Sequence, residues 1–178
     1  IVCTNNVYGG TYRLFEQVIK NYGLEFSYVD TSDFEELKNS IKNNTKFIYV
    51  ETPTNPMLNI TDLRKLGELG KARNIRTCAD NTFMSPYFQN PLDFGIDVTL
   101  HSSTKYINGH SDVIGGCLIT NDDSIAENLK FLQNSIGAVP SPFDCWLILR
   151  STKTLAQRMK AHNENAIAIC ERLSKDNN

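Results

Sequence analysis

The sequence predicts an α/β domain with a mostly parallel sheet and helices on both of its faces, and three observations lead there. Short runs rich in β-branched and aromatic residues recur along the chain. Amphipathic stretches at helical spacing lie between most of them. The strand runs are apolar on both faces, as in parallel sheets covered on both sides. In such sheets ligands bind beyond the carboxyl ends of the strands, so the residues that close each run are the ones to watch.

In chain order, "IVCT" at 1–4 reads as the first strand, followed by a helix in which Leu14, Val18 and Ile19 form the apolar stripe. "FSYVD" at 26–30 reads as the second strand, and Phe34, Leu37 and Ile41, three and four apart, mark the next helix. "FIYVE" at 47–51, "RTCAD" at 76–80, "DVTLHS" at 97–102 and "GCLIT" at 116–120 complete the strands. A helix over about 124–136 and a loop "GAVPSP" at 137–142 follow. The next helix has a readable start: Ser141 suits the cap, Pro142 the first helical position and Asp144 the first turn. Trp146, Leu149, Leu155, Met159, Ala166, Ile169 and Leu173 keep a helical spacing, which predicts one long helix leaving the sheet. Residues 1–140 are therefore expected to form the sheet-bearing portion, and 141–178 a long helix leading to a further domain.

A chain of 178 residues can bury roughly 70% of the surface its unfolded form exposes, so it needs no staples. A net charge of −2 with scattered basic residues offers no footprint for nucleic acid or an anionic membrane. The five cysteines are widely spaced and contain no C-x-x-C pair, which fits a reducing cytoplasm better than a disulfide framework. No apolar run is long enough to span a bilayer. A start at Ile1 and a polar "SKDNN" end read as a piece of something larger.

Asp80 closes one strand, Ser102, Thr104 and Lys105 follow another, and Asn55 lies in the "ETPTNP" turn after a third. All fall at one edge of the predicted sheet. A lysine amine, a carboxylate and small hydroxyl donors are what a pyridoxal phosphate site needs: the amine to hold the cofactor, the carboxylate to face the ring nitrogen, the hydroxyls to face the phosphate. A free lysine has a pKa of about 10.4 and becomes a useful nucleophile only where desolvation or a nearby cation lowers it. Ser102 and Thr104 are two apart, so in an extended segment both point the same way. Each residue taken alone also fits a plainer role, Lys105 at the surface, Asp80 in a turn or cap, and "YGGT" at 8–11 as a strand-to-helix turn. A phosphate-binding G-x-x-x-x-G-K-[ST] loop is excluded, because Thr104 precedes the lysine and those glycines are missing. His101, His110 and Cys117 lack metal-ligand spacing, and no metal is expected.

"VYGGTYRLF" (7–15), "ETPTNP" (51–56), "DNTFMSPYFQNPLDFGID" (80–97) and "HSSTKYINGHSDVIGG" (101–116) closely resemble the cystathionine lyase and synthase family of trans-sulfuration enzymes, in the family's order and over nearly the whole chain. "FLQNSIGAVPSPFDCWLILR" (131–150) looks most like the eukaryotic γ-lyase branch, with γ-synthase and methionine γ-lyase close behind. The resemblance implies fold-type I architecture, the aspartate aminotransferase class, with pyridoxal 5'-phosphate as cofactor. It implies that Lys105 carries the cofactor and moves protons, that Tyr8 stacks over the ring and accepts a proton from the incoming amino acid, and that Asp80 pairs with the ring nitrogen. It further implies that Asn55 reaches the ring hydroxyl, that Ser102 and Thr104 hold the phosphate, and that Arg13 meets the substrate's distal carboxylate. The implied activity is γ-elimination from cystathionine, an amino-acid substrate, with γ-synthase, β-lyase and methionine γ-lyase as alternatives. A truncated, non-catalytic interaction domain is the alternative from another class.

The implied assembly is a homo-oligomer, usually a tetramer, in which Tyr87 and Phe88 suit an interface and Phe15 the core. Family members are longer. The segment that completes a neighbour's phosphate site, the glycine-bearing phosphate loop and the α-carboxylate arginine of the C-terminal domain have no counterpart in these 178 residues. Weak or no catalysis by the chain alone is the expectation.

Overall fold

The computed structural model describes residues 1–176. Six strands, β1 (Val2–Thr4), β2 (Ser27–Val29), β3 (Phe47–Glu51), β4 (Arg76–Asp80), β5 (Val98–Ser102) and β6 (Gly116–Ile119), form one sheet in the order β2-β1-β3-β4-β5-β6. The first five run parallel and β6 is antiparallel to β5. The α/β class, the mostly parallel sheet and all six strand positions are as the sequence predicts, within a residue at each end.

Helices on both faces follow from the period of two along each strand. Ile48 and Val50 turn to one face, where Val2, Leu37 of α2 (Phe34–Asn39) and Leu63, Leu66 and Leu69 of α3 (Leu63–Arg73) bury them. Tyr49 and Cys78 turn to the other, against Phe15 of α1 (Gly9–Gln17) and Ile125 of α5 (Asp123–Ile136). Asp33, Asp62 and Asp122 cap α2, α3 and α5 through their side chains, which fixes where each helix begins. A short helix α4 (Ser85–Phe88) follows the end of β4.

Three expectations need correction. In α1 it is Phe15, stacked on Phe26 and edge-on to Tyr49, that faces the sheet, while Leu14 and Val18 are exposed. α1 ends at Gln17, with Val18 as its C-cap, and the chain tightens into a turn over Ile19–Tyr22, so the stripe read from Leu14, Val18 and Ile19 does not persist. β6 is exposed along its whole length rather than covered on both faces. The long helix predicted after 141 is two helices, α6 (Pro142–Thr152) and α7 (Leu155–Leu173), with the start at Ser141 as expected. The Thr152 hydroxyl donates to the Leu149 carbonyl and that of Thr154 to the Ser151 carbonyl, local bonds that compete with helix continuation. The last two positions of the predicted 141–178 segment lie outside the described residues. Phe131, Ile136, Phe143, Trp146, Ile169 and Leu173 of α5 to α7 are exposed.

Candidate active site

β3 and β4 end side by side, with Glu51 paired to Asp80 across the ladder. Parallel strands cannot close such an edge with a tight turn, so the chain crosses beyond it in loops, and the site is built there. The Asp80 carboxylate is buried and held from three directions. Oδ1 accepts from the Thr82 N–H at 3.0 Å and the Thr82 hydroxyl at 2.6 Å, and Oδ2 accepts from the Tyr49 hydroxyl at 3.1 Å. The Thr82 oxygen in turn accepts from the Ser102 N–H at 2.8 Å, tying the ends of β4 and β5 together.

Glu51 is also buried, and its two oxygens divide between two loops. Oε2 accepts from the Tyr8 backbone N–H at 2.9 Å and Oε1 from that of Asn55 at 2.7 Å. Burial, with the Asp80 charge adding to it, pushes the Glu51 carboxyl up to about 7, against the two N–H bonds that favour its anion. Burial also raises the Tyr49 phenol, which therefore stays a proton donor to Asp80. Tyr8 stands just ahead of α1 and is half-exposed. Gly10 lets its ring fold back over the first turn of the helix, since a Cβ there would run into the ring.

After β5 the chain makes a single π-helical turn, Ser103–Ile107, closed by the Asn108 N–H donating to the Ser103 carbonyl at 3.0 Å. Such turns are rare and recur at functional sites. Lys105 leaves helical geometry within it, with φ −92° and ψ −123°, and its side chain is exposed. Among the described residues its amine has no ion-pair partner. The Thr104 hydroxyl is engaged by Gly115, accepting from its N–H at 3.0 Å. Arg158, in the first turn of α7, holds the lysine turn from behind. Its guanidinium donates to the carbonyls of Tyr106 (2.6 Å), Ile107 (3.3 Å) and Ser151 (3.0 Å) and to the Thr154 hydroxyl (3.1 Å). Gly109, at φ +73°, is required twice, for its left-handed backbone and because a Cβ would collide with that guanidinium.

Tyr8, Asn55, Asp80, Ser102, Thr104 and Lys105 all line one cavity of about 370 Å³, within the range of small-molecule pockets. Glu51, Pro53, Thr82, Phe83 and Ile114 complete its wall. A second void of about 630 Å³ lies across the lysine turn toward His162 and shares Thr104 and Lys105, so volume alone does not select the site. The donor set does. Arg13 is exposed on α1 and is not among the residues lining the cavity. His110 lies with its Nδ1 within 2.6 Å of the Asn108 carbonyl and 3.1 Å of the Ser151 hydroxyl, bracing the lysine turn against α6.

Sequence reasoning missed Glu51, Thr82 and Tyr49. Glu51 and Thr82 lie inside "ETPTNP" and "DNTFMSP", and the pairing of strand ends was the signal that could have found the first. The residues present fit pyridoxal phosphate. A buried carboxylate with both oxygens oriented suits a protonated ring nitrogen, the half-exposed Tyr8 offers an aromatic face, and the Lys105 amine is accessible in the same cavity.

The model of the Cys/Met metabolism PLP-dependent enzyme family matches residues 1–178. The chain is 54% identical over 175 residues to a cystathionine gamma-lyase of Dictyostelium discoideum, covering 98% of this chain and 45% of that protein. It is 50% identical over 175 residues to a probable cystathionine gamma-synthase of Herpetosiphon aurantiacus, covering 98% and 55%. The crystal structure of cystathionine gamma-lyase from Lactobacillus plantarum complexed with L-serine superposes with a TM-score of 0.97 at 46% identity, covering 99% of this chain and 46% of that one. The chain thus spans about half the length of the curated relatives it matches.

Proposed function

The chain belongs to the Cys/Met metabolism PLP-dependent enzyme family, and from that premise we propose that the protein is a carbon–sulfur lyase that cleaves cystathionine by γ-elimination. Cystathionine and water would give cysteine, 2-oxobutanoate and ammonia. The observation that carries the reading is the convergence of Tyr8, Asn55, Asp80, Ser102, Thr104 and Lys105 on one cavity, with Asp80 fixed by Thr82 and Tyr49.

When bound, pyridoxal phosphate supplies a carbonyl carbon for amines and a cationic ring that takes up electron density from the substrate's α-carbon. Asp80 would keep a proton on the ring nitrogen, and its buried, pre-oriented carboxylate needs no rearrangement to do so. Tyr8 would pack against the ring and take a proton from the substrate ammonium, which must be neutral to react. Asn55 would orient the ring hydroxyl. Ser102, whose hydroxyl has no protein partner among the described residues, would donate to the phosphate, with Thr104 beside it. Lys105 would hold the cofactor covalently and, once displaced by substrate, take the α-proton and return a proton to the chain. An amine without an ion-pair partner, on a turn held through its main chain, suits a group that must change position.

The choice of γ-lyase over γ-synthase, β-lyase or methionine γ-lyase is supported by the likeness of residues 131–150 to γ-lyases and by the Dictyostelium relative. Homo-oligomerisation and a cytoplasmic site of action belong to the same proposal. The half-exposed Tyr87 and Phe88, in edge contact with each other, support the first, and five free cysteines support the second. Among the described residues no helix is long and apolar enough to cross a membrane. Arg13, outside the cavity, would reach a substrate carboxylate only at its outer rim.

Borohydride reduction with pyridoxal phosphate followed by peptide mapping tests the site: the label is expected on Lys105, and a label elsewhere refutes the assignment. Assays of the protein on cystathionine, methionine and O-activated homoserine test the substrate. Release of 2-oxobutanoate from cystathionine is the expected result. A protein that stays colourless with added cofactor would instead be an interaction domain.

A further inference from the structure

Two carboxylates meet at the strand ends, and the chemistry above uses one. Glu51 is 6% exposed and spans the gap between the segment ahead of α1 and the turn after β3. These segments lie 43 and 4 residues from it in sequence, and no backbone ladder joins them at this point. Each Glu51 oxygen takes one main-chain N–H, and the residues carrying those N–H groups, Tyr8 and Asn55, are the two whose side chains are assigned to the cofactor ring.

We infer that Glu51, besides forming part of the cavity wall, is a positioning residue: its carboxylate is a strut that sets Tyr8 and Asn55 at a common height beside the ring, and so governs cofactor affinity through them. The inference rests on the proposed pyridoxal phosphate site. A carboxylate fits this task because it offers acceptors on both oxygens, whereas an amide offers one acceptor and turns a donor toward the other N–H. Position favours it as well, since the anion lies at the start of α1, whose own first turn holds no acidic residue. The neighbouring ionisable groups are Asp80 on β4, Tyr49 on the same strand and Cys3 on β1. Burial pushes the Cys3 thiol up to about 12 and also raises the Tyr49 phenol, so neither changes charge near neutrality.

The test compares the wild type with Glu51→Gln, and with Thr31→Val as a control. Thr31→Val removes a buried hydroxyl bonded to Thr4 and Thr61 and touches neither Tyr8 nor Asn55. In the cofactor-free protein, Glu51→Gln is expected to speed amide hydrogen exchange at Tyr8 or Asn55 about tenfold or more, with Val50 and Ala79 unchanged, the loss of one charge-assisted bond. With pyridoxal phosphate added, the dissociation constant read by absorbance is expected to rise by about tenfold. Unchanged amides and an unchanged constant in Glu51→Gln overturn the inference, as does equal acceleration at the same two amides in Thr31→Val.

Should Glu51→Gln not fold, the wild type decides. The Tyr8 and Asn55 amide proton shifts are expected to move together, with one apparent pKa, as the Glu51 carboxyl titrates, and movement of one without the other overturns the strut. A wild type that binds no pyridoxal phosphate sinks the proposed function instead, while the exchange and titration measurements still decide the role of Glu51.

Discussion

At the ends of β3 and β4 the Asp80 and Glu51 side chains themselves are pinned, whereas in the turn after β5 Lys105 is held only through the main chain around it. Asp80 receives three hydrogen bonds and Glu51 two, all from groups within or beside the sheet. Lys105 is exposed, and what holds its segment is Arg158, more than fifty residues away in sequence, gripping the carbonyls of Tyr106 and Ile107. The difference matches what the proposed function asks of each group. A charge that stabilises developing charge works best when it is fixed beforehand, because any reorganisation then falls outside the reaction. In the proposed function, a lysine that attaches, detaches and moves protons needs a steady anchor and a free arm.

The sharpest way to break the comparison is to remove each group in turn. Lys105→Ala is expected to abolish borohydride labelling and to lower turnover by roughly 10³ or more, since the proposed nucleophile and proton carrier go together. Its melting temperature should stay close to wild type, because an exposed arm without an ion-pair partner contributes little to folding. Asp80→Ala should differ on both counts. It is expected to lower turnover by about 10² and also to destabilise the fold by about 1–3 kcal/mol, leaving Tyr49 and Thr82 with unmet donors. A Lys105→Ala protein that melts as early as Asp80→Ala would contradict the contrast between arm and floor.

The pinned floor carries a cost that pH exposes. Glu51 has its folded pKa raised from 4.5 to about 7, so between those values the native state binds more protons than the unfolded chain. Stability therefore falls as pH rises through that window, by at most about 3 kcal/mol. Urea unfolding at pH 5 and pH 8 measures it, and Glu51→Gln should flatten the decline. A wild type that gains stability from this group over the same range has the sign reversed.

Arg158 tests the other half. Arg158→Met is expected to destabilise by about 2 kcal/mol and to speed amide exchange across 103–110, while leaving β3 and β4 protected. Arg158→Lys should recover part of the loss, since a single ammonium cannot serve the carbonyls of Tyr106, Ile107 and Ser151 in the planar fork that the guanidinium does.

The same contrast explains what could be read from residues alone. Lys105, Asp80, Asn55, Ser102 and Thr104 were legible because strand runs end just before or at them, and residues at the ends of parallel strands share an edge. Tyr49 and Glu51 were hidden inside "FIYVE", where burial on alternate faces looks the same for a core phenol as for one that donates to the buried Asp80 carboxylate. Arg158 was hidden for another reason. Capping carbonyls fifty residues away leaves no periodicity, and the helical spacing of Trp146 to Leu173 runs unbroken past a corner set by hydroxyls bonding back to the main chain. Arg13 is a different case, a residue placed by resemblance alone that is exposed on α1 and is not among the residues lining the cavity.

The smallest expected effect refines the account of the floor. Tyr49 sits in the second core with its ring against Phe15, and its hydroxyl is one of three donors to Asp80. Tyr49→Phe keeps the ring and removes one bond, so a stability loss of about 1 kcal/mol is expected, with a severalfold rise in the pyridoxal phosphate dissociation constant. Thr82 still supplies two donors to Oδ1, which is why the change should fall well short of Asp80→Ala. If Tyr49→Phe matched Asp80→Ala in cofactor affinity, orientation of Oδ2 would be the controlling feature and the charge of Asp80 secondary. An effect within error on both measurements would mean that Thr82 alone fixes the carboxylate.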